Sequence, residues 1–421
     1  MPSIVSRLRC SILLRVGLLP EATRTAWAWE LVSGACAGVY TGSVWTFAGR
    51  IARADMHATG VQMGWFAAAP AVGYVFATVW ARQMEGRSKL PFVYWTWLIA
   101  RGLFILTPAI RTRDQYILLV CITPIIFSIS SPAYTAVMKD IYPDAYRGRL
   151  MSAVRIVLNV VTFGSALIVG RLLDAGVDWR TVFCGGGVFG ALSAWAFSRI
   201  RPVAMDEPVE AISTRAFVLD TFAILKRNPA YRWFTASVFV YGFGNLIAAT
   251  LYPVYQVDRF HITNTEVANL QNVGAVSTIV GFFFWGSFMD RRGPLATVFL
   301  SILIICAMPI VYASAPSVEY LRWAAAAGGI ALSGIELGYL NTTLFFSEPG
   351  RAAQYQALHS SLFGIRGSIA PHVAIPLMER FGAQRTFWIA EVIMLVGLLL
   401  QVASMNGYRR RASMDGEDVP V

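Results

Sequence analysis

The chain has 421 residues, of which 56% are hydrophobic and only 14% charged. A soluble protein of this size carries about 25% charged residues, so the composition excludes a soluble enzyme or binding domain and places most of the chain in lipid. The formal net charge is +11, which suits loops beside an anionic leaflet and, with no soluble basic face to carry it, predicts no nucleic-acid partner.

A bilayer core about 30 Å thick needs roughly 20 apolar residues per helix. Such runs recur at 26–49, 61–81, 91–110, 115–138, 150–173, 179–199, 231–256, 266–289, 295–314, 319–346, 355–379 and 384–406. They are continuous rather than alternating, and backbone groups in lipid must be paired within each segment, so the prediction is twelve helices rather than a barrel. The stretch before them, 1–25, has Arg15 interrupting a short apolar run and no small-residue cleavage site, which reads as a cytoplasmic surface segment rather than a signal peptide. Lys and Arg set the orientation. With both ends inside, the cytoplasmic segments hold about 22 of the 35 basic residues and the opposite loops about 10. A multi-pass protein of a bacterial-type cytoplasmic membrane with both termini inside is the expectation.

Past the first six runs, the polar segment 201–230 contains Phe217, Val218, Thr221, Phe222 and Leu225 at helical spacing, predicting a short amphipathic helix on the inner surface. It divides a first bundle, 26–200, from a second, 231–406, and a cytoplasmic tail, 407–421, follows. The halves are related by a repeat. Gly286, Met289, Asp290, Arg291, Arg292 and Gly293 close the eighth run, and a degraded copy with Ala81, Met84, Glu85 and Arg87 closes the second, at an offset of 205 residues. The same offset lays Leu173, Asp174, Arg180, Thr181 and Phe183 on Met378, Glu379, Arg385, Thr386 and Trp388. Two loops agreeing on one offset make a tandem repeat.

Twelve spans, a six-plus-six repeat, a mid-chain linker and acid-Arg loops resemble the major facilitator superfamily over about residues 26–406. The family's loop motif after span 2 usually reads G-x-x-x-D-R-x-G-R-R. It is weak in the first half, with Ala81 and Glu85, and nearly complete from Gly286 to Gly293. Asp140, Pro143, Arg147 and Gly148 between spans 4 and 5 add a further likeness. The resemblance implies an all-α membrane protein of two pseudo-repeated six-helix bundles rocking about a central cavity lined by spans 1, 4, 7 and 10. It does not indicate a subfamily. Span 5 has Gly164 and Gly170 without the proline of the drug–proton antiporter signature, a departure that counts against drug efflux. On this reading Glu85, Arg87, Asp290, Arg291, Gly293, Asp140 and Arg147 belong to gating loops, where an acid at a helix end caps N–H groups and pairs with Arg.

Ionisable residues inside spans are costly and therefore candidates for function. In the second half these are Glu336, Arg366 and Glu391. Their depths allow a Glu336–Arg366 pair, read either as a proton-coupling site or as a static clamp. In the first half, Glu30 and Arg155 lie near the cytoplasmic boundary, where snorkelling or an inner-gate pair would satisfy them, and Arg101 has no carboxylate at its height. Tyr241, Asn245, Ala248, Tyr252 and Tyr255 form one face of span 7 at helical spacing. With Tyr40, Tyr134 and Asn341 they are candidate cavity-lining groups for a small polar solute. Gly364, Gly367, Pro371 and Pro376 predict a bent, closely packed span 11.

The four histidines and five cysteines are scattered without metal-ligand spacing, and no phosphate loop, nucleophile elbow or HExxH occurs. No metal, cofactor or enzymatic chemistry is expected. The leading reading is a monomeric, proton-coupled secondary transporter of a small organic solute. An uncoupled facilitator and a transporter-like sensor or assembly factor without turnover are the alternatives.

Overall fold

The structure is a computed structural model that describes residues 20–76, 80, 84, 87–200, 214–348 and 351–415. Glu85 and the outermost parts of the chain lie outside the described residues, as does the side chain of Arg147. The described residues form helices and short connections, with no strand among them.

Helix α1 runs through Glu21–Tyr40, a π-helical turn Thr41–Trp45 and Thr46–Ala54. It is followed by α2 (Gly60–Val75), α3 (Leu90–Gly102, continued as a 3-10 helix to Ala109), α4 (Arg113–Ile141), α5 (Asp144–Asp174) and α6 (Trp179–Ser198). Helix α7 (Thr214–Arg227) stands between the halves. The second half comprises α8 (Pro229–Phe260), α9 (264–292), α10 (294–305, continued by Ala307–Ser314), α11 (Leu321–Phe346), α12 (Ala352–Phe381) and α13 (Ala383–Asp415). Twelve long helices in two bundles is the predicted architecture, and seven helical stretches among the described residues are long and apolar enough to cross a membrane on length and composition alone.

Local chemistry explains where helices start and stop. Thr59, Thr112 and Thr263 each accept from the backbone three residues on, and Gln62, Gln115 and Glu266 reach back to the cap. These reciprocal boxes satisfy amides that the first turn leaves free. Between α9 and α10, Gly293 has φ 79° and ψ 169°, which a side chain would strain. Pro294 then opens the next helix at a position where it needs no N–H.

Lipid offers no hydrophobic drive between helices, so close approach of backbones carries the packing. Along α1, Gly34, Gly38 and Gly42 form a groove for α5, where a Cβ on Gly38 would come within 2.6 Å of the Leu158 carbonyl oxygen. Across the halves, a Cβ on Gly367 of α12 would stand 2.4 Å from that of Ala71 on α2. The glycines of span 11 thus bring the two bundles together.

Helix α7 is tied to the second half through Asp220. Its carboxylate accepts from Arg227 at 2.6 Å and from Arg351. The Arg227 hydrogen bond holds the Asp220 carboxyl below the ordinary carboxylate range, so the clasp is present at neutral pH and is lost only as pH falls through that lowered value.

The groove in α1 yields a test. Gly38→Ala is expected to destabilise the protein by about 1–3 kcal/mol through overpacking, lowering the thermal midpoint in detergent. Gly164→Ala, where an added Cβ meets nothing within 4 Å, should leave that midpoint within a degree or so of wild type. Equal midpoints for the two variants would refute the packing role.

Candidate functional site

The ends of the helices nearest α7 and the two termini are termed the linker end, and the opposite ends the far end. At the far end the halves are joined by polar contacts. Arg53 at the close of α1 forks onto Asp258 at the close of α8, at 2.8 and 2.5 Å. Arg50 donates to the Ile262 carbonyl at 2.7 Å and to Asn264 at 3.1 Å. Asp174, the last residue of α5, accepts from the backbone N–H groups of Asn264 and Thr265 at 2.9 and 2.8 Å. A carboxylate from one half therefore caps the first turn of α9 in the other, where the helix dipole favours negative charge.

The linker end is different. Arg155 on α5 and Glu336 on α11 are both exposed, each about three turns from the linker end of its helix. Arg155 is the charged group whose field reaches Glu336, yet the two form no ion-pair contact among those found. They lie in opposite halves at matched depth, near enough for their charges to interact.

In the first half, Glu30 does not snorkel and does not pair with Arg155, contrary to the expectation from its position. It is 2% exposed. Tyr134 donates to one carboxylate oxygen at 2.8 Å, and Tyr142 donates to the other. Two phenolic hydroxyls replace the cation that depth alone suggested, Tyr134 from within α4 and Tyr142 from the extended residue just past its end. Arg101 is also buried. It donates to Ser193, and its guanidinium lies 4.1 Å from the centre of the Trp97 ring, with Phe127 at 5.4 Å and Tyr40 at 5.8 Å. Aromatic faces stand in for a counter-ion. Tyr40 is thereby part of the first bundle's interior, 6% exposed and accepting from Trp45 at 3.0 Å. It does not line a cavity.

The span 7 stripe also turns inward. Tyr241 is 3% exposed, and the α13 backbone at Gly397 lies against it. Tyr252 stacks on Tyr312 at 4.2 Å and on Phe387 at 5.7 Å. The stripe packs against α10 and α13, because its aromatic members find apolar partners inside the second bundle. Asn245 is half-buried, and Asn341 spends one amide N–H on its own helix, at Leu337 O.

Glu336 and Arg366 are not a pair. Arg366 is 6% exposed, donates to the Val238 carbonyl and lies against Gly242 of α8, whereas Glu336 looks toward Arg155. The direction each faces around its helix does not follow from its depth along that helix. Glu391 is 3% exposed beside Tyr252 and Cys306, and the weakly donating Cys306 thiol is the hydrogen-bonding group nearest its carboxyl. Among the gating-loop residues, Arg87, Asp290 and Arg291 are exposed and Asp140 is half-buried.

The far-end lock was absent from the sequence-based candidates, though a signal for it existed. Arg53 and Asp258 stand at the repeat offset of 205 residues, so they are symmetry mates with opposite charges. A residue that touches its own mate must lie on the pseudo-two-fold axis.

The chain is similar to a single-residue variant of the nucleoside transporter NupG, with a TM-score of 0.74, 12% identity and coverage of 90% of this chain and 99% of that one. It resembles the human organic anion transporter MFSD10 (TETRAN), with a TM-score of 0.63, 14% identity and coverage of 91% and 100%. A bacterial homolog of the human lysosomal transporter Spinster, solved inward-facing and unoccupied, gives a TM-score of 0.60, 15% identity and coverage of 96% and 100%. At such identities these likenesses carry the fold alone. No curated protein sequence matches at a significant level. The family profile of the Major Facilitator Superfamily matches residues 31–371, most of the chain, and with twelve helices in two bundles the protein belongs to that superfamily.

Proposed function

We propose that the protein is a secondary active transporter that moves a small organic solute across a bacterial-type cytoplasmic membrane by alternating access, as a monomer, with proton coupling. The Lys and Arg bias of the loops supports a cytoplasmic linker end, and the arrangement then corresponds to an inward-open state. One observation carries the reading. Polar contacts tie the far ends of the halves together, while Arg155 and Glu336 face each other unpaired from opposite halves at the linker end. Carriers built from repeats work by rocking one bundle against the other. In the opposite state the far lock breaks and Arg155 docks on Glu336. Protonation of Glu336 from outside then weakens that pair and lets the linker end open, and release of the proton to the cytoplasm resets it. The similar solved structures include a nucleoside transporter and an organic anion transporter, so no single solute class follows from the fold.

The transport reading is tested by flux of a labelled metabolite panel in vesicles, with and without a pH gradient. Glu336→Gln is expected to lose gradient-driven accumulation and to keep solute exchange at equal pH, because exchange moves no net proton. Gradient-independent flux in wild type would establish an uncoupled facilitator instead. Absence of flux for every candidate would favour a sensor or assembly role.

The lock makes a second prediction. Asp258→Asn removes the charge that holds Arg53, an interaction worth about 0.2–1 kcal/mol at a partly exposed site. The ratio of inward to outward states should fall by up to about fivefold, read as slower thiol labelling of an Asn159→Cys reporter on the exposed face of α5. An unchanged labelling rate would remove the lock from the cycle.

A further inference from the structure

We propose that Arg366, Tyr339 and His359 form a subsite in the second bundle for an oxyanion, the carboxylate of a small organic acid. The inference rests on the transport reading and gives it a substrate class.

Arg366 lies at the middle of α12 and is 6% exposed. A guanidinium keeps its proton in a protein, and it presents five N–H donors. One of them reaches the Val238 carbonyl, while Nε is buried without a partner. The Phe363 ring, 5.5 Å away, is the aromatic face found beside it. No carboxylate pairs with it among the described residues. Arg101 shows what a structurally satisfied arginine looks like in this protein, with a hydroxyl partner and three rings around it. Arg366 has one carbonyl, the Tyr339 hydroxyl and one ring beside it, and its Nε is left over.

Its neighbours are equally short of an acceptor. The buried Tyr339 hydroxyl lies within hydrogen-bonding reach of the Arg366 guanidinium, which can only donate, so the phenolic proton finds no acceptor among the described residues. The His359 ring lies 4.9 Å from the Tyr339 ring and within the field of Arg366. The cluster is rich in donors and holds no anion. Gly242 is what admits the guanidinium, since a Cβ there would stand 2.1 Å from Arg366 Nη1.

The internal repeat gives an independent argument. At the offset of 205 residues Tyr339 is the mate of Tyr134, whose hydroxyl donates to Glu30. The mate of Glu30 is Thr235, and the mate of Arg366 is Val161. The second half has kept the tyrosine, lost the acid and gained an arginine. A ligand carboxylate occupying the role that Glu30 plays in the first half satisfies Tyr339 and Arg366 together. Glu336, on the next turn of α11, does not fill that role, since it is exposed and faces Arg155. The Phe363 and Tyr339 rings favour an acid that carries an aromatic or other flat apolar group.

The test is calorimetric titration of the purified full chain in detergent with benzoate, with benzyl alcohol as its uncharged counterpart and inorganic phosphate as the alternative oxyanion. Benzoate is expected to bind at least about tenfold more tightly than benzyl alcohol. Tyr339→Phe, a near-isosteric change that keeps the packing, should weaken benzoate about tenfold or more by removing a hydrogen bond to a charged group. Arg366→Lys should weaken it further, because a point charge cannot fork onto a carboxylate. No benzoate binding, equal binding of benzyl alcohol, or benzoate affinity unchanged in both variants would each overturn the proposal. Phosphate binding that depends on Arg366, with no benzoate binding, would overturn the organic acid in favour of an inorganic oxyanion. Binding needs no turnover, so the two readings fail separately. Intact Arg366-dependent binding without vesicle flux sinks transport alone, and flux without Arg366-dependent binding sinks the subsite alone.

Discussion

The fork of Arg53 onto Asp258 stands at the centre of the far-end contact between the two halves. Because these residues are repeat mates, their contact lies on the pseudo-two-fold axis, and around it Arg50 and Asp174 reach across to the first turn of α9. With the far ends drawn together, the linker ends are left with facing charges that do not touch. Arg155 and Glu336 are exposed for that reason, and the same geometry makes them the pair that a rocking motion would bring into contact.

Away from that axis, the molecule deals with buried charge by unequal means. Glu30 is held by two phenolic hydroxyls, and Arg101 is surrounded by rings and a serine hydroxyl. Both solutions use groups from the same bundle and give each of these two charges a polar partner. The second bundle is less complete. Arg366 keeps an unpartnered Nε, and Glu391 has only the weak Cys306 thiol beside its carboxyl. Buried charge without a partner is costly and uncommon, so the asymmetry between the halves places the unfinished chemistry in the second one.

Packing follows a rule suited to lipid. The α1–α5 and α2–α12 contacts are made where glycine or alanine removes side-chain bulk, at Gly38 and at Gly367 against Ala71. Large aromatic residues fill the bundle interiors instead, as in the Tyr252, Tyr312 and Phe387 stack. This division explains why the polar-aromatic face of α8 turns away from the path between the halves. Its tyrosines are interior packing residues whose hydroxyls happen to share a helical face with Asn245.

The sequence alone determined the number of helices, their approximate limits and the repeat, because each depends on local hydropathy or on identity at a constant offset. It also marked Glu30, Arg101, Arg155, Glu336, Arg366 and Glu391 as the charges that lipid must tolerate, since any ionisable residue within an apolar run is conspicuous. Only the tertiary structure decided which of them meet. Depth along a helix can be counted in residues, but the direction a side chain faces depends on how helices distant in the chain are rotated about their axes. A rotation of half a turn would exchange interior for path without altering a single residue count. That is why Glu336 lies near Arg155 rather than Arg366, why Glu30 meets Tyr134 and Tyr142, and why Tyr241, Ala248 and Tyr255 of the stripe are core while Asn245 and Tyr252 are half-buried.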